Sequence, residues 1–228
     1  MLLKHVLILG NGFLGSHIGN ELKNRKIPFS VTNFTNIDGK FFIDVRNASS
    51  IEKVVSDVSP DLIINCVAIG TIDYLESNPE IAFSLNSDGA KNIATVAKKF
   101  QIKLIHISTD SIFDGKSGNY LESDTPNPIN IYAQSKVKAE EFVRNITDNH
   151  VIIRTNFYGY DSRGNWFFNW VYEQFTHNQK IFGFDDVRFN PLEVSNLSKI
   201  ILDISLIDFT GTINLGSTET ISKYQFIV

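Results

Sequence analysis

The chain has 228 residues, 43 % of them hydrophobic and 20 % charged, with a net charge of −4. That is the size and make-up of one globular domain, or one with a small annex, and the mild acidity gives no reason to expect nucleic acid or an anionic membrane as partner. A lone cysteine, Cys66, leaves no internal disulfide or Cys-rich metal site, and no apolar run approaches the roughly 20 residues of a membrane span. Met1-Leu2-Leu3-Lys4-His5 leads straight into an apolar run without the layout of a signal peptide, so a cytoplasmic protein is expected.

Strand and helix patterns then alternate. His5-Val6-Leu7-Ile8-Leu9 reads as a buried strand, followed by a Gly-rich turn and a helix to about Arg25. Pro28 to Asn33 is a second strand and Phe41-Phe42-Ile43 a short third. Asn47-Ala48-Ser49 opens a helix with good capping residues. Asp61 to Asn65 is a fourth strand, and Pro79 starts a long helix to Lys99 with apolar residues at helical spacing. Lys103 to Ile107 and Val151-Ile152-Ile153 are the fifth and sixth strands. This alternation predicts an α/β fold, a doubly wound, Rossmann-like parallel sheet, with residues 1–155 as a dinucleotide-binding domain. Beyond it, Gly164-Asn165-Trp166-Phe167-Phe168 opens an aromatic helix, Ile181-Phe182-Gly183 reads as a short strand, Val194 to Ser205 as a helix and Gly211 to Leu215 as a strand. Residues 156–228 are expected to form mainly a small substrate lobe, with a strand near 180–184 returning to the main sheet. The chain stops as a helix begins at Ser222, so the lobe is expected to be incomplete. The irregular stretch from Asp110 to Ile131 is long enough to suggest a functional loop.

Gly10-Asn11-Gly12-Phe13-Leu14-Gly15 is a G-x-G-x-x-G placed directly after the first strand and at the start of the first helix, the context that gives this motif meaning. Gly10 would allow the tight turn, Gly12 the approach of a pyrophosphate and Gly15 close helix packing, with Phe13 and Leu14 at the helix N-terminus. NADP or NAD is therefore the expected cofactor. The choice between them is not legible, because strand two ends in Thr32-Asn33-Phe34, with neither an acid nor an adjacent Arg. Asn33 suits either form. Asp44 and Val45 would border the adenine, although a solvated acid explains Asp44 nearly as well. Cys66 reads as a buried strand-end residue, counted with Val67 and Ala68 on the cofactor side.

Tyr132 and Lys136 stand one helical turn apart, and Thr109 ends the fifth strand. A phenol as proton donor, a nearby ammonium that lowers its pKa, and a hydroxyl to hold an oxygen are the equipment for hydride chemistry at a C–OH/C=O centre. The bland reading is an amphipathic helix with Tyr packed and Lys solvated. What favours catalysis is position, since ligands of a doubly wound sheet gather at the carboxyl ends of its strands. Tyr132 and Lys136 would also touch the cofactor. Asn86 is expected to make a structural hydrogen bond and His106 to be a packed histidine; no metal is proposed. Trp166, Phe167, Phe168 and Trp170 serve equally as a stacking surface or a packing face.

These residues together resemble the extended short-chain dehydrogenase/reductases, and within them the dTDP-4-dehydrorhamnose reductases. The likeness runs through Asp61 to Ala68, Asp73, Glu76, Asn86, Ser108-Thr109-Asp110, Phe113-Asp114-Gly115, Tyr120-Leu121-Glu122, Tyr132 to Lys136, Glu140, Arg154-Thr155 and Tyr158-Gly159. The resemblance implies that Tyr132 protonates a keto oxygen, that Lys136 tunes it and binds the nicotinamide ribose, and that Thr109 holds the reacting oxygen. The implied substrate is a nucleotide-linked 4-keto sugar of a polysaccharide pathway, with a homodimer left open. Four departures stand out: one residue fewer between Gly10 and Gly12, Ser111 after Ser-Thr-Asp, Ile69-Gly70 after Ala68, and Pro191-Leu192 in the late helix region. Two other readings remain: an epimerase or dehydratase that keeps NAD bound, and a cofactor-binding regulatory subunit without catalysis.

Overall fold

The computed structural model describes residues 3–33, 41–161 and 167–228. Phe34, Trp166 and the start of the aromatic helix lie outside the described residues. The first apolar run forms β1 (Val6–Leu9), buried along its whole length. Alternate side chains of a strand point to opposite faces. Val6 and Ile8 accordingly enter one core with Ile18, Leu22 and Ile201, while Leu7 and Leu9 enter another with Ile51, Val55 and Ile93. A continuous apolar run suits such a strand, covered on both sides.

Around it stand β2 (Phe29–Asn33), β3 (Phe41–Phe42), β4 (Leu62–Asn65), β5 (Lys103–Thr109), β6 (His150–Thr155) and, far along the chain, β10 (Gly211–Leu215). The seven strands run in the order β10-β6-β5-β4-β1-β2-β3, each neighbouring pair parallel. One face carries α1 (Phe13–Asn24) and α8 (Val194–Leu206); the other carries α2 (Ala48–Val58), α5 (Gly89–Lys99) and α6 (Ile131–Ile146). The strand order turns back between β1 and β4, and the crevice above that point is where such sheets bind ligands.

The expected strand at 181–183 is absent. Residues 181–184 are irregular, with Phe182 79 % and Phe184 69 % exposed. Gly183 instead presses on α9 (Lys223–Ile227), where an added Cβ would lie 2.6 Å from the Tyr224 Cα. The strand that completes the sheet beside β6 is Gly211–Leu215, whose longer apolar alternation supplies a full parallel register. Residues after 156 thus divide. α8 and β10 join the main sheet layers. A smaller assembly is formed by α7 (Phe167–Thr176), α9 and the short ladder of β8 (Arg188–Phe189) with β11 (Ile221–Ser222). A second short ladder pairs β7 (Phe157–Tyr158) with β9 (Leu192–Glu193). Phe167 and Phe168 pack against Phe226, with ring centroids 5.6 and 6.4 Å apart, which is the packing-face reading of those aromatics.

The helix from Pro79 to Lys99 is continuous but not uniform. α3 (Ile72–Ser77) is followed by α4 (Pro79–Ala82), a π-helical stretch over Phe83–Asp88, and α5. Wide turns of this type are rare and cluster at functional sites. The long loop after β5 is held by its own side chains. Asp114 accepts from the Tyr120 hydroxyl at 2.6 Å and the Asn127 amide at 2.9 Å, and Phe113 stacks on Tyr120 at 4.3 Å. Among the described residues no helix is long and apolar enough to cross a membrane.

Candidate active site

The glycine turn has three separable parts. Gly10 adopts φ +95, a region that favours glycine, and its N–H donates to the buried Thr32 hydroxyl at 3.3 Å. A Cβ on Gly15 would lie 2.0 Å from the Gly10 carbonyl oxygen, so α1 packs on the turn only without a side chain there. Gly12, at the N-cap of α1, has nothing within 4 Å of the position its Cβ would take. Its backbone therefore faces open space at the positive end of a helix dipole, with no acid in the first turn.

That space is a cleft of about 880 Å³. Of the expected cofactor residues, Gly10, Gly12, Asn33, Val45, Cys66, Val67 and Ala68 line it together. Phe13 and Leu14 turn their side chains into the core, Phe13 against Phe157 at 5.9 Å, and neither lines the cleft. Asp44 is not part of the wall. Its carboxylate forms a two-pronged pair with Arg46, at 2.8 and 2.7 Å, which holds it below the usual carboxylate range, and Arg46 lines the cleft instead. Sequence reasoning missed this cation because it looked for an Arg beside Asn33, whereas Arg46 arrives from the turn after β3. Thr32, Tyr74, Ser84 and Leu85 were missed as well. Burial pushes the Cys66 thiol up to about 12, so it stays protonated, in line with a strand-end packing residue.

Thr109 ends β5, and Tyr132 is the second residue of α6, whose N-terminus is capped by Asn130 accepting from the Ala133 N–H at 2.8 Å. The Thr109 hydroxyl acts on the Tyr132 phenol, working against the rise that burial imposes. The Thr109 hydroxyl also accepts from the Ser111 N–H at 3.1 Å and lies 3.3 Å from the Asp110 carboxylate. Lys136 is buried, and its Nζ donates to the Ile107 carbonyl at 2.7 Å. The three expected catalytic residues therefore converge at the carboxyl end of β5.

Their electrostatics differ from expectation. Tyr132 is pushed up to about 12, chiefly by burial and further by Asp110, against the lowering effect of Thr109. No lowering by Lys136 emerges. Lys136 itself is pushed down to about 8 by burial, opposed by Glu140. The cost of enclosing two ionisable groups outweighs their mutual influence. Burial also raises Asp110, which accepts from the Asn156 amide at 3.2 Å. Its position in the Ser-Thr-Asp run was the available signal.

Asn86, in the π-helical stretch, accepts from the Ile69 N–H at 2.9 Å and donates to the Ile69 carbonyl at 3.1 Å and the Ser135 hydroxyl at 3.0 Å. It ties the wall after β4 to the helix that carries Tyr132 and Lys136. Asn86→Ala would orphan buried partners, and a loss of about 1–3 kcal/mol is expected, measured as a lower midpoint in chemical denaturation. His106 is packed as expected. Its Nδ1 meets the Asn65 amide nitrogen at 3.0 Å, and burial holds it well below its ordinary value, hence neutral. Among the described residues no group of three or more His, Cys, Asp or Glu side chains is arranged to hold a metal ion.

A seven-stranded parallel sheet with its glycine turn at the reversal of strand order, and a hydroxyl–phenol–amine group beside it, places the chain among proteins with the extended short-chain dehydrogenase/reductase fold. More narrowly, it belongs to the RmlD substrate binding domain family, whose model matches residues 4–227. The Haloferax volcanii "Probable low-salt glycan biosynthesis reductase Agl14" is 30 % identical over 190 residues, which are 81 % of this chain and 63 % of that protein. The Xenopus tropicalis "Methionine adenosyltransferase 2 subunit beta" is 30 % identical over 153 residues, 66 % of this chain and 46 % of that one. Among solved structures, the dTDP-4-dehydrorhamnose reductase of Bacillus anthracis in complex with NADP is 30 % identical, with a TM-score of 0.90 over 99 % of this chain and 79 % of that one. The chain spans less than two thirds of the length of both curated relatives.

Proposed function

We propose that the chain reduces the keto group of a nucleotide-linked 4-keto sugar with NADPH or NADH, as a dTDP-4-dehydrorhamnose reductase-like enzyme of polysaccharide precursor synthesis in the cytoplasm. The observation that carries the reading is the meeting of Thr109, at the end of β5, with the helix that carries Tyr132 and Lys136, whose ammonium donates to the Ile107 carbonyl two residues before Thr109. The residues fit a dinucleotide: the space a Cβ on Gly12 would take is clear at a helix N-terminus, and the lined cleft is of ligand size. Gly10, Gly12 and the start of α1 would hold its pyrophosphate, and Asn33, Val45 and Arg46 its adenosine end. When bound, the reduced nicotinamide supplies the hydride.

The protein's own groups handle the oxygen. Tyr132 and Thr109 donate hydrogen bonds to the keto oxygen and orient it. Tyr132, fully protonated at neutral pH, gives up its proton as negative charge develops on that oxygen. Lys136, held on the Ile107 carbonyl, would bind the nicotinamide ribose hydroxyls as an ammonium. Because Lys136 loses its proton near pH 8 and Tyr132 only near 12, kcat/KM is expected to fall as pH rises through about 8. A profile flat to pH 10 would remove Lys136 from this role.

Likeness to a methionine adenosyltransferase subunit favours one second reading, a cofactor-binding regulatory subunit. The deciding experiment mixes the protein with NADPH or NADH and a panel of nucleotide 4-keto sugars and follows the absorbance of the reduced nicotinamide. Net oxidation supports the reductase. Tightly held NAD without net turnover supports an epimerase or dehydratase, and a stoichiometric protein partner without turnover supports the subunit.

A further inference from the structure

Behind the reacting groups lies a carboxylate that the chemistry above does not use. Glu140 follows Lys136 by one turn of α6, and both are buried. An enclosed carboxylate needs partners. The Ser108 hydroxyl donates to it at 2.6 Å, Arg154 Nε and Nη2 at 3.1 and 2.8 Å, and Arg144 Nη1 at 3.0 Å. Ser108 stands between Ile107, whose carbonyl receives the Lys136 hydrogen bond, and Thr109. Arg154 extends the same cluster to the long loop, donating to the Glu122 carbonyl at 3.2 Å and lying 5.3 Å from the Phe113 ring centroid. We propose that Glu140 is a positioning residue for the reduction: through Ser108 it fixes the strand end that offers Lys136 the Ile107 carbonyl and carries the Thr109 hydroxyl.

This inference rests on the reductase reading. The ionisable groups that act on Lys136 are Glu140 on α6 and Cys66 beyond β4, with His106 on β5 feeling its charge and Tyr132 one turn earlier on the same helix. Tyr132, Cys66 and His106 are neutral near pH 7, so Glu140 supplies the negative charge that keeps the ammonium protonated. Arg154, bonded to Glu140 at 3.1 and 2.8 Å, tempers that charge.

The test compares the pH profiles of kcat/KM for the parent, E140Q and R154Q. Loss of the carboxylate's charge is expected to move the alkaline limb down by about one pH unit. Loss of Arg154 leaves Glu140 less compensated and moves the limb up. A framework that is merely loosened shifts both variants alike or neither, and either result overturns the proposal. E140Q leaves the buried Arg154 without its carboxylate and is prone to misfolding, whereas R154Q leaves Glu140 with Arg144. The double variant E140Q/R154Q removes both charges of the buried pair; a limb below the parent's supports the proposal, and an unmoved limb overturns it. If no keto sugar is turned over, the reductase reading fails on its own. The pH dependence of NADPH affinity, followed by nicotinamide fluorescence, then carries the comparison, and identical dependence in parent and variants overturns the role of Glu140.

Discussion

Tyr132→Phe is expected to lower kcat for keto-sugar reduction by about 10²–10⁴-fold, the range in which general-acid groups contribute. Only the hydroxyl leaves. The ring that fills the site stays, and the cap of α6 and the clamp from Asn86 do not depend on the phenol oxygen. Thr109 still meets Ser111 and Asp110, so the carbonyl-binding side keeps its shape. NADPH affinity should change little, because the Gly10–Gly15 turn and the lined cleft lie outside the substitution. Absorbance assays of turnover and fluorescence titration of NADPH separate the two quantities. Turnover at the parent rate would take Tyr132 out of the chemistry, and a matching loss of cofactor affinity would mean that the ring had moved.

Two glycines of one turn are expected to fail in different ways. In Gly15→Ala the new methyl meets a backbone oxygen at 2.0 Å, which no rotamer relieves. Either α1 lifts or the turn deforms, at a cost of about 1–3 kcal/mol for overpacking, and with it goes the geometry that aims Gly12 at the cleft. Both Tm and NADPH affinity should fall. In Gly12→Ala the methyl meets nothing, and φ −73 suits any residue. Stability should hold while affinity drops, because the methyl occupies the space a pyrophosphate needs. Equal Tm losses in the two variants would contradict this division.

The parallel sheet was legible because its strands are apolar runs separated by helical periods, and the carboxyl ends of those strands pointed to Thr109 and Tyr132. What escaped was set by contacts far apart in sequence. Ile181-Phe182-Gly183 has strand-like residues, yet its fate depends on α9 and on Gly211–Leu215 occupying the place beside β6. Arg46 reaches the cleft through a turn whose direction no local pattern encodes. The upward shift of Tyr132 follows from enclosure by β5, α6 and Asp110, whereas helical spacing alone suggested that Lys136 would dominate. Asn86 was read correctly as a hydrogen-bonding residue, but its three partners come from two other segments.

The loop between Asp110 and Ile131 carries one more consequence. It is stapled internally by Asp114 and fastened to β10, where the Asn214 N–H donates to Glu122 at 2.8 Å and the Asn214 amide to the Tyr120 carbonyl at 2.9 Å. A wall already folded before a sugar arrives loses little conformational entropy on association. On the proposed reductase reading, selectivity at that wall would come from a fixed outline that rejects misfitting epimers, and a change of preferred sugar would call for re-cutting the outline rather than altering a hinge.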